Sequence, residues 1–161
     1  GRLDPGMYGP PVPIHLDGFQ EGRGKPASGP IDGAGRRSVY LSVRRNFLSS
    51  MLLAFDFPQP FTAMGRRSVS NVPAQALILR NNPLVHDQAA FWARRVLSEP
   101  GTEAQRIARM FTSAYARPPT AEEAADASSF LGDAGKGPGD PAAWQALAHA
   151  LFQAKEFILL P

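Results

Sequence analysis

The sequence contains no cysteine. That removes a disulfide framework, a thiolate-ligated zinc site, a thiol nucleophile and covalent c-type haem attachment from this chain. It leaves the redox compartment open, because a chain of 161 residues can bury enough surface to fold without cross-links. No apolar run reaches the roughly 18 residues of a membrane-spanning helix, so no membrane span is expected. Histidine is scarce, with only His15, His86 and His149. The nearest ligand-like pairs are His15-x-Asp17 and His86-Asp87. No H-E-x-x-H or three-ligand cluster accompanies them, and adjacent helical residues diverge by about 100°. No metal site is expected. A start methionine and a basic, apolar leader are missing from a chain that begins at Gly1. The expectation is a piece of a longer protein, with any targeting signal upstream.

What is plentiful is glycine and proline, 15 and 16 residues respectively. Residues 1–35 alone hold 9 Gly and 6 Pro, a composition that disfavours helix and ladder and predicts a loop-like arm. Charge is unevenly spread. Residues 1–95 carry 12 bases and 6 acids, and residues 96–161 carry 5 bases and 8 acids. The excess is densest over residues 36–67, where Arg36-Arg37, Arg44-Arg45 and Arg66-Arg67 face a single acid, Asp56. Arginine supplies a planar fork suited to carboxylate, sulfate or phosphate. The pairs read either as an anion-binding face or as structural partners of carboxylates and carbonyls. Asp56, between Phe55 and Phe57, is the natural candidate for a buried partner of one pair.

The hydrophobic pattern divides the chain further. Val39, Leu41 and Val43 alternate at strand period, and with Pro13-Ile14-His15-Leu16 they suggest a small β hairpin across the Gly-rich loop. From Asn46 the period becomes helical. Leu48, Met51, Leu52 and Phe55 share a face, and Pro58 and Pro60 end that helix. Asn71 before Val72-Pro73 starts a short helix reaching Asn81, and Asn82-Pro83 opens the next. Thr102 with Gln105 and Thr120 with Glu123 have capping-box spacing. Asp140-Pro141 starts a last helix carrying Trp144, Leu147, Leu151, Ala154 and Ile158, with His149 at the edge of its buried face. The expected fold is mainly α: a bundle of about six helices over residues 36–161, preceded by the arm of residues 1–35.

Catalytic constellations are thin. Ser38, Ser68 and Ser70 sit in basic surroundings without a G-x-S-x-G elbow. Glu122 and Glu123 belong to a first helical turn, where acids complement the dipole. Gly22-Arg23-Gly24 and Gly33-Ala34-Gly35 fit no phosphate-loop or dinucleotide pattern. No helix-turn-helix or base-stacking motif accompanies the pI of 9.7.

Four stretches together carry a family likeness. They are Gly1-Arg2-Leu3-Asp4-Pro5 with Met7 to Pro13; Arg36-Arg37-Ser38-Val39-Tyr40 with Arg44-Arg45 and Phe55-Asp56-Phe57-Pro58; Arg66 to Leu77 with Leu79, Asn81, Asn82 and Pro83; and Arg117-Pro118-Pro119-Thr120-x-Glu122-Glu123 with a tail from His149 to Phe157. In that order they resemble the C-terminal part of the planctomycete-enriched domain of unknown function 1553. Asn82 stands where that family more often has Asp, and Gln153-Ala154 replaces a usual Asn-Ser. The resemblance implies a periplasmic or cell-surface setting in a multidomain protein, with c-type haem carried by upstream domains. It implies no activity.

The residues therefore suggest a noncatalytic structural and interaction module with no cofactor of its own. Its partners would be the upstream domains and an acidic ligand such as anionic polysaccharide. The candidate anion-binding residues are Arg36, Arg37, Arg44, Arg45, Arg66, Arg67, Asn71, Gln75 and Asn81. One alternative is an enzyme site completed upstream, with Arg36, Arg37, Arg66 and Arg67 as clamps and His15 or Asp56 as acid–base groups. Another is nonspecific nucleic-acid binding, which the missing motifs disfavour.

Overall fold

A computed structural model describes residues 3–18, 20, 22–58, 65, 72–135, 137 and 139–158. It is mainly helical, and the chain divides into two units, Gly1–Ile78 and Leu79–Pro161.

The first unit is mostly irregular, as its glycine and proline content requires. Two very short strands, β1 (Val12–Pro13) and β2 (Leu41–Ser42), pair in parallel with Val12 opposite Leu41 and Pro13 opposite Ser42. The expected hairpin is therefore corrected. A parallel pair needs a long crossover, and the Gly-rich loop between the strands supplies one. The alternating stretch is also not a full strand, because Ser38–Tyr40 is a single 3-10 turn that leaves Val39 at 75% exposure. Ile14, Leu16 and Phe47 are buried together, with Leu52 packed on them. Gly29 makes this crossing feasible, since a Cβ there would lie 1.8 Å from the Pro13 carbonyl oxygen.

α1 (Ser50–Ala54) is shorter than its apolar spacing suggested. It closes with Asp56 N–H donating to Leu53 O at 3.2 Å and Phe57 N–H to Leu52 O at 3.0 Å. Asp56 itself is left-handed at φ 60°. These are the two bonds of a Schellman stop. Asp56 is exposed, so the expectation of a buried carboxylate is corrected. Its backbone position, where a short polar side chain is tolerated, accounts for its placement.

α2 (Val72–Asn81) contains the boundary between the units. The second unit continues with α3 (Pro83–Ser98), α4 (Glu103–Tyr115), α5 (Ala121–Ala134), α6 (Pro141–Gln153) and α7 (Lys155–Ile158). The starts are those the sequence signals. Asn82 accepts from Leu84 N–H, Asp140 accepts from Ala142 N–H, and Thr102/Gln105 and Thr120/Glu123 form complete reciprocal capping boxes. α3 and α6 pack most extensively, because Ala89, Ala93 and Ala148, all 0–1% exposed, allow close approach. Met110, Leu131 and Trp144 fill the centre of this core. The single last helix expected from the sequence is broken at Ala154, which is extended at ψ 141°.

Candidate functional site

The arginines separate into two kinds. Arg36 is only 14% exposed in its side chain and lies 3.7 Å from Asp4 Oδ2. Its Nη2 donates to Tyr8 O at 2.6 Å and reaches Gly6 O at 3.4 Å. Its guanidinium stacks 4.0 Å over the Tyr40 ring. Arg36 thus holds residues 4–8 of the arm alongside residues 35–40, a pairing continued by Asp4 N–H donating to Gly35 O at 2.8 Å. Its Nη2 is taken up by carbonyls of its own unit, while Nε is buried with no hydrogen-bond partner among the described residues. Arg37, Arg44 and Arg45 are exposed, and among the described residues no carboxylate pairs with them. Arg66, Arg67 and Asn71 lie outside the described residues.

The other two candidates lie on α2 and differ in burial. Gln75 is 3% exposed, and its Oε1 has no hydrogen-bond partner among the described residues. Asn81 is exposed, about 9 Å further along the helix axis.

The acid–base alternatives are also placed. His15 Nδ1 lies 3.1 Å from Gly29 O and donates to it. Ser28 Oγ is 3.4 Å from the same Nδ1 and accepts from Leu16 N–H at 3.0 Å. With Nδ1 as a donor, the Ser28–His15 contact is not a nucleophile–base pair. Close by in sequence, Asp17 Oδ2 and Gln20 Oε1 are buried without partners, while Gln20 Nε2 donates to Leu48 O at 2.6 Å. Among the described residues there is no group of three or more His, Asp or Glu able to hold a metal. Nor is any helix among them long and apolar enough to cross a membrane.

Two polar constellations in the second unit were not apparent as sites from the sequence. Arg117, between α4 and α5, makes a fork with Glu123 at 2.7 and 2.8 Å and a second with Glu156 on α7, both contacts 2.7 Å. Glu123 Oε2 also accepts from Thr120 N–H, so the capping box and the ion pair share one carboxylate. The Arg117 hydrogen bonds, then the Thr120 N–H, hold the Glu123 carboxyl down at about 2. Arg117 likewise lowers Glu156, and the two carboxylates raise the guanidinium further. Burial pushes the nearby Tyr115 hydroxyl up, and that hydroxyl donates to Leu151 O at 3.1 Å. The second constellation is a histidine pair. His86 and His149 have ring centroids 4.1 Å apart. Their Nε2 atoms donate to Arg80 O at 2.9 Å and Leu79 O at 3.1 Å, two carbonyls of the last turn of α2. These groups fix helix ends. The sequence signal for the first was Glu123 three residues after Thr120; Arg117 and Glu156 are 39 residues apart and had no local sign.

The fold and these residues are those of a small α-helical domain whose polar groups mostly secure its own backbone. The family described as PSD1, protein of unknown function (DUF1553), matches residues 1–131, and the chain belongs to that family. The tail from His149 to Phe157 lies beyond the matched residues. No curated protein and no solved structure matches the chain.

Proposed function

We propose that this chain is a noncatalytic interaction module of an exported bacterial multidomain protein, and that its exposed arginines bind an anionic polysaccharide. The observation that carries the reading is the separation of Arg36 from Arg37, Arg44 and Arg45. The first is enclosed by internal carbonyls and Asp4; the other three are exposed, and among the described residues no carboxylate pairs with them. Three guanidinium forks within nine residues suit sulfate or carboxylate groups repeated along a polymer. Packing against neighbouring domains of the same protein is the second part of the proposed role.

The test is binding of the purified chain to dextran sulfate, neutral dextran and duplex DNA over a series of salt concentrations. The reading predicts salt-sensitive binding to dextran sulfate, none to dextran and weaker binding to DNA. Equal binding to DNA and dextran sulfate would favour a nonspecific polyanion or nucleic-acid role. Absence of binding to both would leave the arginines as solvated surface.

A further inference from the structure

We propose that Tyr8 is a preorganised platform for a sugar ring, giving the anionic-ligand surface its preference for polysaccharide over other polyanions; the inference rests on the function proposed above. Tyr8 is 79% exposed, yet its backbone is locked from both sides. Its N–H donates to the Tyr40 hydroxyl at 3.1 Å, and its carbonyl accepts from Arg36 Nη2 at 2.6 Å. It is held at φ 67°, a left-handed conformation that is unfavourable for a non-glycine residue. Among the described residues the phenol hydroxyl has no hydrogen-bond partner. A large exposed ring carried on strained, hydrogen-bonded backbone is not explained by the fold.

The surroundings narrow the ligand. Gly6 N–H goes to Asp4 Oδ1 at 2.8 Å, and the Gly6 and Tyr8 carbonyls face Arg36. An extended polypeptide therefore finds the main-chain groups of Gly6 and Tyr8 already taken, which disfavours strand addition there. What the segment offers is an aromatic face and, one residue beyond Arg36, the exposed guanidinium of Arg37, with which no carboxylate among the described residues pairs. The C–H face of a pyranose carries the partial positive charge that an aromatic face attracts. A sulfate or carboxylate on the same or next sugar suits the arginine fork. Because the backbone that carries the ring is already held in place, little main-chain entropy is lost on binding.

The experiment uses the full chain, with dextran sulfate, polyphosphate and poly-glutamate as probes. Tyr8→Gly keeps the backbone conformation and relieves its strain, so its thermal stability should equal or exceed wild type. It should bind dextran sulfate about tenfold more weakly, the size expected for one aromatic anchor. The slope of log Kd against log salt should not change, because no charge is removed. Polyphosphate and poly-glutamate affinities should be unaltered, and Tyr8→Trp should retain dextran sulfate binding. Unchanged dextran sulfate affinity in Tyr8→Gly overturns the inference while leaving the arginine reading intact. An equal loss on all three polyanions overturns it too, by assigning Tyr8 to general anion or polypeptide contact. If the wild type binds no dextran sulfate, the function proposed above fails, and this inference with it.

Discussion

Arg36 and Arg37 are one peptide bond apart and end in different surroundings. Arg36 is enclosed by Asp4, the Gly6 and Tyr8 carbonyls and the Tyr40 ring; Arg37 is in solvent. Arg36→Ala should therefore cost about 2 kcal/mol, since it strands carbonyls that accept from a charged donor. Arg37→Ala should stay within about 0.5 kcal/mol. Urea unfolding of the two variants checks the contrast. Trp144 is 1% exposed at the centre of the helical core, so Trp144→Ala should cost about 3–5 kcal/mol in the same assay. A third expectation concerns pH. Glu123 is held at about 2 against an ordinary 4.5, so the folded state favours its charged form. Its contribution is complete above about pH 4.5 and is lost as pH falls towards 2; Glu156 contributes in the same direction. Melting temperatures measured from pH 7 to pH 2 should fall through this window in wild type. Arg117→Ala should be less stable at pH 7 and should show a flatter fall, because the carboxyls then titrate near their ordinary values.

At the scale of elements, what the sequence made legible was local. Asn82-Pro83, Thr102/Gln105, Thr120/Glu123 and Asp140-Pro141 each mark a helix start within four residues, and each forms the expected cap. The misreadings came from distant partners. Val39, Leu41 and Val43 alternate like a strand, but the arm pinned by Arg36 crosses there and leaves only Leu41–Ser42 paired. The last helix breaks at Ala154 although Ile158 keeps its apolar spacing. Beyond the break Glu156 meets Arg117, and Phe157 reaches Phe152 with ring centroids 5.1 Å apart. Arg117 lies 39 residues from Glu156, and nothing near Ala154 in sequence announces that contact. The candidate site divided the same way: the exposed arginines were visible as pairs, whereas the commitment of Arg36 and the exposure of Tyr8 depend on a crossing 28 residues long. A stop residue supplies a further test. Ala116 ends α4 at φ 57°. Ala116→Gly should raise stability by about 1 kcal/mol, the strain relieved being partly offset by the entropy of a freer unfolded chain. Chemical denaturation of that variant checks the sign.

For the whole molecule, the second unit has a core running through α3 to α6, while the first has, among the described residues, a cluster of three buried apolar side chains and a pair of two-residue strands. Stability therefore resides mainly in the helices, and the irregular unit carries the solvent-facing arginines and Tyr8. This separation lets the proposed surface be altered without disturbing the main core. The most direct test of the account is the affinity of Arg44→Glu/Arg45→Glu for dextran sulfate beside wild type at low and moderate salt, with melting temperature recorded in the same samples. The account predicts affinity lost by at least about tenfold at low salt, with melting unchanged, because both side chains are exposed and pair with no carboxylate among the described residues. Undiminished affinity, or a variant that fails to fold, would contradict it and return these arginines to the scaffold.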